Sequence, residues 1–164
     1  MEFKGLLGYV RGARSVLEIG SRYGQSLLHF AQACATGSRV VSVDLGYSTD
    51  RPDVNTRENW DEAIEALKPD YDVHQIVGDS HAAETIERVK ALGPYDFIFI
   101  DGDHSLKGCL QDWTHYGGMG KVVAFHDVAA IEDVAQVWNI AKVDKKHCLL
   151  YETGGFGIGV VFNG

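Results

Sequence analysis

The stretch Val16–Ser26, VLEIGSRYGQS, decides the fold. Its first part belongs to a short run without charge except one Glu, Ser15–Ile19 (SVLEI). Then come two glycines, Gly20 and Gly24, around Ser21, Arg22 and Tyr23, and then a helical stripe of Leu27, Leu28, Ala31 and Cys34. This is a strand, a tight turn and a helix starting near Gly24. Three more runs share the character of the first: Arg39–Val43 (RVVSV), Asp96–Ile100 (DFIFI) and Lys121–Phe125 (KVVAF). They are nearly continuous in apolar residues instead of alternating, the pattern of strands buried on both faces of a parallel sheet. A weaker run, Tyr71–Val77, lies between the second and third.

Helical stripes follow the strands at Trp60/Ile64/Leu67, Ala82/Thr85/Ile86/Val89, Leu106/Cys109/Leu110/Trp113 and Ile131/Val134/Trp138/Ala141. Strand and helix alternation with short connections predicts right-handed crossovers and a doubly wound α/β sheet. The last segments, His147–Thr153 and Phe156–Phe162, flank Gly154 and Gly155 and predict a terminal antiparallel hairpin. The expectation is one domain over residues 1–164, built on a mostly parallel seven-stranded sheet. Gly46–Val54 (GYSTDRPDV) reads as a surface loop beside the ligand cleft.

With 164 residues, 45% hydrophobic and 23% charged, the chain has the profile of a globular domain. No apolar run approaches the roughly 20 residues needed to cross a bilayer. The N-terminal segment has too short an apolar stretch for a signal peptide, so a cytoplasmic location is expected. A net charge of −8 offers no footprint for nucleic acid or an anionic membrane and favours a small-molecule partner. Cys34, Cys109 and Cys148 lack metal or redox spacing and read as reduced core thiols.

Open α/β sheets bind ligands beyond the carboxyl ends of their strands. At the first such end, glycines permit a sharp turn and close ligand approach, and the helix offers free N–H groups. Ser26 falls in the first helical turn, where its hydroxyl can meet a carboxylate. The glycine spacing departs from the G-x-G-x-x-G of dinucleotide sites, so a ligand without a pyrophosphate fits better. Asp44 ends the second strand and can accept both ribose hydroxyls. Taken alone, this turn leaves a plain ligand-free connection open.

Four motifs in order (LEIGSRYGQS, VDLG, VGDSHA and FIDGDHS) resemble the class I S-adenosylmethionine-dependent methyltransferases. Within them the chain is similar to the branch holding catechol and caffeoyl-CoA O-methyltransferases and small bacterial cephalosporin-hydroxylase-like proteins. The resemblance runs from about Val16 to Val161 and implies a Rossmann-like fold. It implies that Glu18, Gly20, Ser21, Tyr23, Gly24 and Ser26 cradle the methionine end of the cofactor. Asp44 would bind the ribose, and Asp79, Ser80 and His81 would frame the adenine, with Asp101 also beside the cofactor. For His81, a surface residue at a helix start stays open.

Asp101-Gly102-Asp103-His104 and His126-Asp127 follow the fourth and fifth strands, which brings both groups to one edge of the sheet. Hard oxygen ligands in a partly open site suit Mg²⁺ or another divalent cation. Such a cation lowers the pKa of a substrate hydroxyl. The resemblance matches Asp101 and Asp127 to two metal ligands; His126 stands where the branch commonly has Asp, and is a further ligand candidate. His104 stands where the branch has its catalytic lysine, which implies a base, histidine being suited to take a proton near neutral pH. A helix-cap neighbour is its plainer alternative.

The reading is therefore an O-methyltransferase acting on a hydroxyl of a small molecule or glycan. Metal-independent transfer by a histidine base and a non-catalytic cofactor-binding accessory protein remain alternatives. The short segment before the first strand also leaves room for a second subunit, a homodimer included, to complete the acceptor site.

Overall fold

A computed structural model describes residues 2–47 and 56–164. Its elements run α1 Glu2–Val10, β1 Ser15–Ile19, α2 Gln25–Ala33, β2 Arg39–Asp44, α3 Thr56–Leu67, β3 Asp72–Val77 and α4 Ala83–Leu92. They continue with β4 Tyr95–Ile100, α5 Leu106–Tyr116, a 3₁₀ turn Gly117–Met119, β5 Gly120–Phe125, α6 Glu132–Ala141, β6 Lys146–Leu150 and β7 Ile158–Phe162. The seven strands form one sheet in the order β3-β2-β1-β4-β5-β7-β6. The first five are parallel, and β7 runs antiparallel between β5 and β6. This is the mixed, doubly wound sheet expected from the sequence.

Both faces of the central strands are covered, which explains their unbroken apolar runs. Leu17, Ile19, Val41, Val43, Ile98 and Ile100 point into one core with side chains of α4, α5 and α6. Val16, Val40, Phe97 and Phe99 point into the other, with α1, α2 and α3. Strand β3 lies at the edge and buries only Ile76 fully, so its apolar signal is weak for a physical reason.

The strand order reverses between β1 and β4, and the crevice of such a sheet opens there. Ladder bonds carry past the strand ends: Gly20 N donates to Val43 O (2.8 Å), Asp101 N to Ile19 O (2.9 Å) and His126 N to Ile100 O (3.2 Å). Three sequence-predicted site residues are thereby set in one row along the carboxyl edge.

Three expectations need correction. Helix α1 was not anticipated, yet Phe3, Leu6 and Val10 recur at helical spacing, and Leu6 and Val10 are completely buried. The terminal hairpin forms, but its strands are shorter than expected and its connection spans 151–157, not two glycines. Cys34 caps the end of α2 in extended backbone instead of continuing the helix, and all three cysteines are free thiols. Within the expected Gly46–Val54 loop, residues 48–54 lie outside the described residues. No helix among the described residues is long and apolar enough to cross a membrane.

Candidate active site

The turn after β1 is held from three sides. Gly20 has φ +88°, and a Cβ on it would lie 2.2 Å from the Asp101 carbonyl oxygen. Gly24 has φ +75°, and a Cβ there would lie 2.6 Å from Ala63 Cβ in α3. Both glycines therefore answer to left-handed backbone and to close packing within the protein. Gly20 also lines the cavity described below. Ser21 hydrogen-bonds Ser42 of β2, and Trp60 Nε1 donates to the same Ser42 oxygen at 2.8 Å. A buried serine, serine and tryptophan chain thus ties turn, strand and helix together.

Glu18 is fully buried under the turn. Ser26 Oγ donates to its Oε1, a carboxylate of the protein itself, while Oε2 has no partner. Burial pushes the Glu18 carboxyl up to about 7, against the nearby hydroxyls of Ser21 and Ser26 and with help from the negative charges of Asp101 and Asp44. At the end of β2, Asp44 Oδ2 accepts from Arg22 N (2.8 Å) and its Oδ1 from Gly46 N (2.7 Å). Arg22 adopts φ +48°, uncommon for a side-chain-bearing residue, and that conformation aims its N–H at Asp44.

After β3, Ser80 Oγ donates to Asp112 Oδ1 (2.7 Å), and His81 Nε2 lies 3.1 Å from the same oxygen. Asp79 Oδ1 accepts from His81 N at 2.8 Å. Asp112 belongs to α5, is 0% exposed, and keeps Oδ2 without a partner. Its hydrogen bond raises the His81 imidazole above the ordinary range, although burial works the other way. The polar groups expected around an adenine are thus organised by a carboxylate that the sequence reading did not single out.

After β4 and β5, Asp101, His104, His126 and Asp127 meet. His104 Nε2 lies 3.2 Å from Asp101 Oδ1 and 3.5 Å from Asp127 Oδ2. His126 Nδ1 lies 3.3 Å from Asp101 Oδ1 and 3.2 Å from Asp127 Oδ1. Asp127 sits at φ +63°, a strained conformation of the kind that gathers at functional sites. Burial lowers the affinity of His126 for a proton, but hydrogen bonds to both aspartates, and their charges, override it and push the imidazole up to about 10. His104 is raised as well, first by its hydrogen bond to Asp101. Asp103 turns away from this group: its Oδ1 accepts from Ser105 N (2.8 Å) at the start of α5, and its carboxyl packs on Gly108. Ser105 caps the helix through Gly108 N at 3.1 Å.

The turn and the Asp101–His126 side of the cluster open on one cavity of about 370 Å³. One wall is Gly20–Tyr23 with Gln25 and Ser26. The other is aromatic, formed by Phe3 of α1, His29 of α2, Phe99 and His126, with Asp101 at the junction. His126 lies between Phe99 and Phe156, its ring centroid 5.9 Å from each.

A family model described as a methyltransferase domain matches residues 17–128, the region from β1 through the Asp127 corner. The chain belongs to this family. Solved structures of low identity share its fold throughout. An O-methyltransferase from Bacillus cereus, solved with SAH, is 22% identical at a TM-score of 0.68, covering 99% of this chain and 80% of that one. The O-methyltransferase TomG from Streptomyces achromogenes, solved with SAM, is 19% identical at 0.69, covering 98% and 78%. The TDP-rhamnose 3′-O-methyltransferase CalS11 of calicheamicin biosynthesis is 12% identical at 0.70, covering 99% and 77%.

In this methyltransferase the sequence-predicted residues fall into two groups. Glu18, Gly20, Ser21, Tyr23, Gly24, Ser26 and Asp44 converge on the turn, and Asp101, His104, His126 and Asp127 on the neighbouring corner. Asp79, Ser80 and His81 form a third point, anchored on Asp112. Sequence reasoning missed Phe3, Ser42, Trp60 and Asp112. Of these, Phe3 and Asp112 carried a readable signal: an apolar i, i+3, i+7 pattern, and a charged residue between the apolar positions Cys109 and Trp113.

Proposed function

We propose that this methyltransferase moves the methyl group of S-adenosylmethionine to a hydroxyl oxygen of a small molecule or sugar, aided by a divalent cation at Asp101 and Asp127. It would do so as one domain over residues 1–164. The observation that carries this is the shared cavity: the turn after β1 and two residues of the carboxylate-histidine corner, Asp101 and His126, line the same space. The O-methyltransferase names and the SAH and SAM ligands of the structurally similar proteins support the reading.

The residues present fit both groups. Glu18 Oε2, buried without a partner, suits an ammonium such as that of the methionine end. Asp44, held by two backbone amides, keeps lone pairs free for ribose hydroxyls. Asp101, His104 and Asp127 each offer a ligand atom, all within 4.8 Å of one another. When bound, the sulfonium supplies an electrophilic methyl, and a cation lowers the pKa of a nearby hydroxyl.

The chain's own part is positioning. Asp44 and Glu18 hold the two ends of the donor, while Phe3 and Phe99 give the cavity an apolar face, with the His126 ring beside them, that restricts water and orients the acceptor. In-line geometry supplies a large share of the acceleration. With the donor bound, the sulfonium would give its methyl carbon to the hydroxyl oxygen and keep the electron pair of the broken carbon–sulfur bond on sulfur, and the hydroxyl proton would leave to solvent. The His126 imidazole, pushed up to about 10 by its hydrogen bonds to Asp101 and Asp127, keeps its proton at neutral pH, and His104 turns its Nε2 to the same carboxylates and not into the cavity. That favours the cation-assisted reading over a histidine acting alone.

Calorimetric titration with S-adenosylmethionine tests the donor site, and saturable binding is expected. A panel of hydroxyl acceptors, assayed with and without EDTA and with Asp101→Ala, tests the chemistry. Turnover untouched by both EDTA and Asp101→Ala would refute the metal mechanism.

A further inference from the structure

Building on the reading that Asp101 and Asp127 hold a divalent cation, we propose that His104 is its third protein ligand and sets which cation the site prefers. The preferred cations are then of the manganese, cobalt and zinc type, and Mg²⁺ is a weaker occupant.

The first argument is the direction of one atom. A general base must aim its free nitrogen at the acceptor hydroxyl, hence into the cavity. Asp101 and His126 line that cavity, and His104 does not. The Nε2 atom of His104 turns instead to the two carboxylates, 3.2 Å from Asp101 Oδ1 and 3.5 Å from Asp127 Oδ2. Those separations are ordinary for ligand atoms sharing one ion, and the three residues form the converging set among the described residues.

The second argument is how the three are held. Asp101 and Asp127 leave the ends of adjacent strands β4 and β5, and Asp127 is fixed in left-handed backbone. His104 stands on a short bridge whose neighbours are both committed: Asp103 accepts from Ser105 N, and Ser105 caps α5. The ring is therefore carried by a tethered loop. Behind the pair, His126 Nδ1 reaches both aspartates from a ring packed between Phe99 and Phe156, which suits orienting the carboxylates.

The third argument is donor chemistry. Mg²⁺ takes oxygen ligands and keeps several waters, while an imidazole nitrogen suits borderline transition metals. Two carboxylates and one imidazole leave the remaining positions open to water or an acceptor oxygen.

The test uses the full chain in metal-free buffer, with Mg²⁺, Mn²⁺ and Co²⁺ as probes for calorimetry and electron spin-echo spectroscopy of the Mn²⁺-loaded protein. The expected results are imidazole-nitrogen modulation in the wild type, lost in His104→Ala and kept in His126→Ala. His104→Ala should also weaken Co²⁺ and Mn²⁺ by about tenfold or more and change Mg²⁺ by far less. Absence of nitrogen modulation in the wild type overturns the proposal without any variant. So does modulation that survives in His104→Ala, or equal weakening of all three cations. If no cation binds the wild type at all, the metal reading itself falls, which separates the two failures.

Discussion

Glu18 is expected to trade stability for ligand binding, and Glu18→Gln measures the trade. The carboxyl is completely buried, one oxygen is satisfied by Ser26, and the other has no partner. Burial raises its pKa from 4.5 to about 7. The sign follows from proton linkage: between those two values the unfolded chain has released its proton and the folded protein has not, so stability falls as pH rises. Below 4.5 both states are protonated, and above about 7 both are ionised and the penalty levels off. A shift of that size corresponds to about 3 kcal/mol of lost stability on the alkaline side, at 1.36 kcal/mol per pKa unit. The amide of Glu18→Gln mimics the neutral carboxyl and cannot ionise. Urea unfolding of both proteins at acid and mildly alkaline pH, free of ligand, should show the variant gaining about 3 kcal/mol on the wild type across that interval. Other titrating groups cancel in the difference. The same variant should bind S-adenosylmethionine more weakly, because it gives an ammonium no charge. A stability difference that does not change with pH would refute the argument, whatever happens to binding.

The remaining predictions concern the other anchors of the site. Gly24→Ala should destabilise by about 2–4 kcal/mol in chemical denaturation. Adding Ala63→Gly should recover the steric part of that loss but not the part due to φ +75°. Asp112→Asn should cost about 1–3 kcal/mol near pH 6, where it weakens the bond to a protonated His81, and less in alkaline buffer. The raised His81 pKa contributes stability that is complete below its unfolded value and disappears as pH climbs through the folded one, so an effect growing with pH would contradict this. Asp44→Asn leaves one acceptor where two backbone amides now bond, and calorimetry should show S-adenosylmethionine affinity down by about tenfold or more.

What the sequence disclosed, and what it hid, follows from how local each signal is. The central strands were legible because burial on both faces removes polar positions altogether, as in Tyr95–Ile100. Strand β3 was faint because an edge strand keeps a solvent face; the terminal hairpin turns at the paired glycines as expected, but its strands stop short of them, at Leu150 and Ile158. Helix α1 was overlooked although Phe3, Leu6 and Val10 spell out one face, since attention to leader features treats such a segment as a tail.

The site divides the same way. Asp44, Asp101 and Asp127 were legible because each sits at or just past a strand end, and in a parallel sheet strand ends share one edge. The buried contacts that brace the site were not, because they join residues distant in sequence and away from the strand ends: Ser80 with Asp112, and Ser42 with Trp60. Gly20 and Gly24 show the limit most clearly. A Gly-x-x-x-Gly turn predicts close backbone approach, and close approach is what the structure has, but at both positions the nearest neighbours are protein: the Asp101 carbonyl and the Ala63 methyl. Between the glycines, Ser21 is fastened to β2 and Arg22 is bent to reach Asp44. A substitution at either glycine should therefore disturb the proposed donor site first by moving that segment, because the added Cβ meets protein atoms at 2.2 Å and 2.6 Å.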